Sequence, residues 1–348
     1  MPQDAFTLRY LCEEMNYLFS GGKINKIIQP SNDKIIFTIY NGKGTERLLL
    51  DVNPACPKME LYYGDAESPL TAPNFCMLLR KHLLSATISK IELVGFDRIV
   101  KIDLLSSAEF HDAEEKTLFV ELMGRYSNII LTQNGKILGG NRGINMFDNG
   151  VRPLIVGCDY VFPPVGDKKL PTDTSLIEYF NGFNGQDLAQ YICKGVQGLA
   201  ISTANEIVDK FIDTGVRFGD QSFAKTLFNT LNEFVYQTEK KPCVFLEDDK
   251  VIDVCIYPYK CIDKKALFFN SLSEAENYYF TNKDADKKLK NKVDTLKKIV
   301  QAAIKKAKKR VSAITAKEND ALGAEENQIK GELLFANIYQ VQQGTDRC

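Results

Sequence analysis

Two periods of apolar and polar residues divide the chain. Alternation, the period of a half-buried strand, marks residues 89–94 (Ser-Lys-Ile-Glu-Leu-Val), 100–105 (Val-Lys-Ile-Asp-Leu-Leu) and 117–123, and Ser127-Asn128-Ile129-Ile130-Leu131-Thr132 follows the last of these. Residues 26–28, 34–40 and 46–52 also read as strands, separated by Pro30-Ser31-Asn32-Asp33 and by Asn41-Gly42-Lys43-Gly44. Ahead of them Phe6, Leu8, Leu11, Met15 and Leu18 share one helical face, and Ser20-Gly21-Gly22 stops that run. Thr71-Ala72-Pro73 predicts a second helix start, with proline near the first turn where its missing N–H costs nothing, and the helix runs to about Leu84. Gln133-Asn134-Gly135-Lys136 predicts a hairpin onto Ile137-Leu138.

Residues 150–164 are rich in Gly and Pro and read as an irregular closing segment, so the first domain is expected to end near residue 170. The period then turns helical over 175–180, 186–194, 202–211 and 218–238. Gly195-Val196-Gln197-Gly198-Leu199 joins two of these helices and resembles a helix-hairpin-helix turn. Such a turn offers backbone N–H groups and a helix N-terminus to a phosphate. Its glycines are three apart where the usual hairpin pattern has them two apart, so an ordinary helix–helix turn stays open. Residues 241–269 alternate again and predict a small strand pair. After Phe280 one long helix is expected, with Leu289, Val293, Leu296, Val300, Ala303, Ala307 and Ile314 along a coiled-coil seam. The predicted fold class is α+β: a strongly curved antiparallel sheet domain (1–170), a helical helix-hairpin-helix domain with a small strand pair (171–275), then a coiled-coil arm (276–348).

At 348 residues, two or three domains are expected. A hydrophobic content of 44% with 26% charged residues is that of a globular chain, and no apolar run approaches the roughly 18 residues a membrane helix needs. Met1-Pro2-Gln3-Asp4 lacks the basic and apolar regions of a signal peptide, which makes the expected location cytoplasmic. The nine cysteines are odd in number and contain no C-x-x-C pair, so reduced thiols are expected. His82 and His111 are the only imidazoles, and neither anchors a triad or a metal cluster. No catalytic residue, metal or cofactor is expected.

The formal charge of −1 conceals an asymmetry. Residues 283–310 hold twelve Lys or Arg against Asp284, Asp286 and Asp294, a sum of +9 that leaves −10 for the rest. A basic rod on an acidic body suggests a polyanionic partner. A solvated coiled-coil flank is the other reading of these lysines.

The strand pattern sets two turns, Gly95-Phe96-Asp97-Arg98 and Gly124-Arg125-Tyr126, on the rim of a rigid sheet. An arginine fork bonds phosphate or a base edge bidentately, and a nearby aspartate orients the fork or accepts from a base amino group. Tyr126 offers a ring for stacking on an unpaired base or a side chain for the core. Taken alone, Asp97–Arg98 reads as a solvated pair.

These words, with Gly21 to Pro30, Phe75 to Leu83, Pro153 to Pro164 and Lys330 to Asn337, resemble the NFACT family of the RqcH type, also known as fibronectin-binding protein A. The resemblance runs in order along nearly the whole chain. It implies a ribosome-associated quality-control factor, not an enzyme. Such a factor binds large ribosomal subunits obstructed by peptidyl-tRNA and recruits alanyl-tRNA for mRNA-independent alanine tailing. It implies a tRNA-binding site at Asp97 and Arg98, with Arg125 and Asn128 close by and Asp4 as an acidic residue near the N-terminus. The family's usual word around that last position appears here as Gln3-Asp4-Ala5. Lys305, Lys306, Lys308 and Lys309 are the candidates for rRNA phosphates. In the family the coiled coil returns to an NFACT-R domain absent from this sequence, so the chain is expected to be part of a longer protein.

Two other classes stay open. The first domain and hairpin of the family resemble those of formamidopyrimidine-DNA glycosylases, whose nucleophile is an N-terminal proline, here Pro2. Against that, Gln3 stands where those enzymes have a glutamate, and their zinc finger is missing. The name fibronectin-binding protein suggests a surface adhesin, against which stand the lack of a signal peptide, wall anchor or repeat.

Overall fold

A computed structural model describes residues 3–65, 67–106, 114–142 and 152–340, with the backbone alone over 286–292. Pro2, His111 and the start of the 150–164 segment lie outside the described residues. Residues 1–282 form one compact unit and 283–348 a second.

The first unit opens with α1 (Ala5–Phe19), whose apolar stripe is buried as its spacing requires. Nine strands follow: β1 (Lys23–Ser31), β2 (Lys34–Tyr40), β3 (Thr45–Asp51), β4 (Lys58–Leu61), β5 (Thr87–Leu93), β6 (Ile99–Ser106), β7 (Glu114–Glu121), β8 (Asn128–Gln133) and β9 (Lys136–Gly140). They form one sheet of order β4-β3-β2-β1-β5-β6-β7-β8-β9. Every adjacent pair is antiparallel, so the sheet is two meanders joined between β1 and β5, where Lys23 stands opposite Thr87. Between the meanders α2 (Asn74–Leu83) buries Phe75, Cys76, Leu79 and Leu83. Asn134 and Gly135 both take positive φ, the two-residue turn that their dipeptide predicts between β8 and β9.

The expected curvature can be measured. β1 and β9 lie five strand spacings apart, about 24 Å in a flat sheet. Yet the Gln29 amide, on β1, donates to Asn141 Oδ1, just past β9, at 2.9 Å. Asn141 Nδ2 in turn donates to the Asn32 carbonyl at 2.8 Å, and Arg142 reaches Asp33 at 2.7 Å and the Val52 carbonyl at 2.8 Å. The second meander curls until its β9 edge meets the first meander through side chains.

Beyond the sheet come α3 (Ser175–Asn181), α4 (Leu188–Gly195), α5 (Ile201–Asp213) and α6 (Phe223–Gln237), close to the predicted spans. β10 (Cys243–Glu247), β11 (Lys250–Cys255) and β12 (Lys265–Phe268) then make a sheet of order β11-β10-β12. The expected strand pair is thus a triplet, because the four-residue, largely exposed β12 is too short to display a period. One hydrophobic core runs from Phe6 through Val100 and Leu122 to Ile207, Phe234 and Phe280, so it spans both sides of residue 170.

The last helix, α7 (Leu272–Ala336), is 65 residues long and starts eight residues before Phe280. Its first turn is capped from outside: the Glu14 carboxylate accepts the N–H groups of Leu272 and Ser273 at 2.9 and 3.0 Å and the Ser273 hydroxyl at 2.6 Å. No helix among the described residues is long and apolar enough to cross a membrane. The eight described cysteines are all free.

Candidate nucleic-acid interface

The two turns named by the sequence are neighbours in space. Gly95, at φ +60°, turns the chain between β5 and β6, and Asp97 Oδ1 accepts the Arg98 N–H at 2.7 Å. Both side chains are half-buried. Ile99 pairs with Glu121, and the Arg98 carbonyl accepts the Leu122 N–H at 2.8 Å, which fixes this turn beside the one that follows β7. There Gly124–Tyr126 forms a single 3-10 turn. Tyr126 is 66% exposed, so its ring is outside the core. The Arg125 guanidinium lies over that ring at 4.6 Å and donates to the Tyr126 hydroxyl at 2.5 Å.

The turn between α4 and α5 comes up against this pair. Gly198, at φ +74°, accepts the Ala5 N–H at 2.8 Å through its carbonyl. Asp4 ties the same two elements together: Oδ1 caps α1 by accepting the Thr7 N–H at 2.9 Å, and Oδ2 accepts the Ala200 N–H at 3.0 Å and the Thr203 hydroxyl at 2.7 Å. One carboxylate serves two helix N-termini. Gln3 beside it is also committed inward, donating to the Met59 carbonyl at 2.7 Å and to Glu276 at 2.9 Å and accepting the Met59 N–H at 2.9 Å.

Between the sheet turns and the helical turn lies an open cleft of about 520 Å³, lined by Asp97, Arg98, Met123 and Tyr126 on one side and by Gln197 to Ile201 on the other. Asp4 also lines it, and a strap of Pro164, Val165 and Lys168 adds an apolar edge and a second cation beside Arg98. The strap is built in. Lys169 pairs with the hairpin turn, donating its N–H to Gly195 at 2.8 Å and accepting that of Gln197 at 2.9 Å. Upstream, Arg152 and Tyr160 both donate to the buried Glu121, the former at 3.1 Å through Nη1 and the latter at 2.8 Å. The Tyr160 ring stacks on Phe119 at 4.0 Å.

Of the five expected tRNA-binding residues, Asp97 and Arg98 therefore line the cleft, and Asp4 lines it while being almost wholly buried and hydrogen-bonded within the fold. Arg125 lies outside the lining but abuts it through Tyr126. Asn128 is placed differently. It is buried, accepts the Ile129 and Arg142 N–H groups at 2.9 Å each, and donates to the Arg142 carbonyl at 3.3 Å. Its position on β8 turns its amide to the fold-back contact, where it holds Arg142 in register. Lys168 is not marked by the sequence pattern, and Gln197 only as part of the hairpin turn, because the strap meets that turn through the bridge between residues 169 and 196.

On α7, Lys305, Lys306, Lys308 and Lys309 are all exposed. At 100° per residue they occupy one arc of about 160°. Leu296, Val300, Ala303, Ala307 and Ile314 occupy about 60° of the opposite face, the seam that a coiled-coil arm requires.

This geometry defines an α+β protein whose chemistry-bearing side chains surround an open, cation- and aromatic-lined cleft beside a helical hairpin. The chain belongs to the NFACT family: residues 4–348 match the model of the NFACT N-terminal and middle domains. Over 99% of its length it is 30% identical to the Rqc2 homolog RqcH of Bacillus subtilis, and over 94% it is 28% identical to the archaeal Rqc2 homolog aRqcH of Methanocaldococcus jannaschii. It covers 60% of the first of these relatives and 49% of the second. Among solved structures, the N-terminal part of the fibronectin/fibrinogen-binding protein of Streptococcus suis superposes with a TM-score of 0.68 at 25% identity, covering 80% of this chain and 98% of that one. The N-terminal domain of fibronectin-binding protein PavA of Streptococcus pneumoniae does so with a TM-score of 0.56 at 29% identity, covering 80% and 98%.

Proposed function

We propose that this chain is the tRNA-engaging portion of a ribosome-associated quality-control factor. In this reading the protein binds large ribosomal subunits obstructed by peptidyl-tRNA. It presents alanyl-tRNA for alanine tailing without mRNA, and peptide transfer is left to the ribosome. The relatives named RqcH support the pathway. The observation that carries the tRNA assignment is the convergence of Asp97, Arg98 and Tyr126 with the hairpin turn at 197–201 around one open cleft. A guanidinium fork, an exposed ring and hairpin backbone facing one space suit an unstacked nucleotide and its phosphate.

The test is Asp97→Ala with Arg98→Ala in the full-length protein. Loss of a charge-assisted contact of about 1.5 to 3 kcal/mol lowers affinity roughly ten- to hundredfold. The expected outcome is loss of tRNA recovery and of alanine tails, with large-subunit binding retained and the fold intact by circular dichroism. Normal tRNA recovery would reduce the pair to a structural turn.

The names of the Streptococcus neighbours favour a second reading, fibronectin binding. Immobilised fibronectin that retains the folded chain at physiological salt, and releases it on competition with soluble fibronectin, would support it.

A further inference from the structure

Gln197 is a polar side chain 92% removed from solvent, since it is only 8% exposed. Its backbone N–H is used by Lys169, while its carboxamide makes no side-chain hydrogen bond to a described residue and its polar atoms keep contact with solvent. A carboxamide that spends no hydrogen bond inside the fold keeps both its donor and its acceptor for whatever enters the space it faces. What exposure Gln197 retains belongs to the cleft, whose lining it shares with Arg98, Tyr126 and Lys168. The residue is also held still. Val196 and Leu199 on either side are core residues, and the Lys169 bridge fixes the backbone between them.

We infer that Gln197 is a specificity-determining residue that reads the edge of a nucleobase in the cleft. The inference rests on the tRNA reading above. A carboxamide offers a donor and an acceptor side by side, the pairing that a base edge presents and that a phosphate, which only accepts, does not. Arg98 and Lys168 carry the positive charge of the cleft and so suit the phosphate, while Tyr126 offers a stacking face. The division of labour separates backbone positioning from readout: the cations hold any nucleotide, and Gln197 selects among them. A rigid amide suits this role because a wrong base leaves it buried and unpaired, which penalises the wrong ligand more than it rewards the right one.

The experiment compares the full-length protein with its Gln197→Leu and Gln197→Glu variants. Leucine keeps the bulk and removes both hydrogen-bonding functions. Glutamate keeps the shape and replaces the donor. For each, tRNA affinity is measured across a salt series, and the tRNA retained from a total cellular pool is sequenced. For Gln197→Leu the expected result is a loss of roughly five- to hundredfold for the preferred tRNA, a broadened bound pool, and an unchanged slope of log affinity against log salt, because no cation is removed. Lys168→Ala is the contrast, expected to weaken all tRNAs alike and to lower that slope by about 0.7 to 0.9. If Gln197→Leu fails to fold, the near-isosteric Gln197→Glu decides, and it too should broaden the pool. An unchanged pool and affinity in the folded variant overturns the inference. Absence of tRNA binding by the unaltered protein, or normal binding by the Asp97→Ala, Arg98→Ala variant, would instead overturn the reading it rests on.

Discussion

A Cβ atom on Gly198 would stand 2.3 Å from the carbonyl oxygen of Phe96. The helical hairpin and the sheet turn that carries Asp97 and Arg98 thus touch backbone to backbone, with no side chain between them. Phe96 itself is buried, so its carbonyl has no room to retreat. The width of the cleft is set at this contact.

Gly198→Ala should therefore be costly in two ways. The residue sits at φ +74°, where an L side chain is strained by about 1 kcal/mol, and its Cβ would also meet Ala5 Cβ at 2.4 Å. A total destabilisation of about 2 to 4 kcal/mol is expected from strain plus overpacking. Gly95→Ala is the control, since its φ is +60° but nothing lies within 4 Å of the added carbon. Denaturant midpoints of the two variants should differ clearly. Equal midpoints would mean that the contact yields at no cost.

Asp4 is the second link between sheet side and hairpin. Asp4→Ala removes the cap of α1 and leaves the Ala200 N–H and the Thr203 hydroxyl without their acceptor, for an expected loss of about 2 to 4 kcal/mol. If Asp4 acts through structure, stability and tRNA binding fall together, and Asp4→Asn, which keeps one acceptor oxygen, recovers part of both. A variant that retains full stability while losing tRNA would make the carboxylate a direct contact instead.

Much of this fold was legible because local signals agreed with the tertiary outcome. Gly95, Gly124 and Asn134-Gly135 mark turns that the structure places where the alternation stops, and Gly195 to Leu199 marks the joint between two helices. β4 escaped because it is only four residues long: Lys-Met-Glu-Leu alternates, but so short a run does not stand out as a period. Its charges pair within the strand, Lys58 with Glu60 at 3.0 Å, and from far along the chain the Phe280 ring comes within 3.9 Å of the Lys58 ammonium. Asn128 stands beside the right turn in sequence, yet a strand's two faces differ by one residue, and it faces Arg142 instead of the cleft. The cleft itself joins residues 97, 126, 168 and 197, which no periodicity relates.

Burial raises the Glu276 carboxyl well above its ordinary 4.5, reinforced by Glu60 and Glu14 and opposed by the Gln3 amide and Lys58. The folded state thus keeps a proton that the unfolded state releases, so this group's contribution falls as pH rises above 4.5. Glu276→Gln removes that dependence. The stability of the variant relative to the unaltered protein should be lowest near pH 4 and grow as pH is raised towards 8. Urea unfolding at several pH values measures the difference, and a gap independent of pH would show that Glu276 does not titrate abnormally.

The arm allows a prediction that depends on geometry as well as charge. Lys305, Lys306, Lys308 and Lys309 lie on the arc opposite the apolar seam, so pairing of that seam with another helix leaves the lysines open to a polyanion. If they neutralise phosphates of ribosomal RNA, each contact releases condensed counterions, and binding to the large subunit weakens steeply with salt. Changing all four to glutamine keeps helix propensity nearly constant while removing four charges. Large-subunit binding should then fall, and the slope of log affinity against log salt should shrink by up to about 3 to 4. Helicity by circular dichroism should stay unchanged. A single-charge surface effect would instead lower affinity slightly at low salt and vanish at 0.15 M, where the screening length is about 8 Å. Unchanged binding with an unchanged slope would assign the lysines to the solvated flank of the coiled coil and move the ribosome contact elsewhere in the protein.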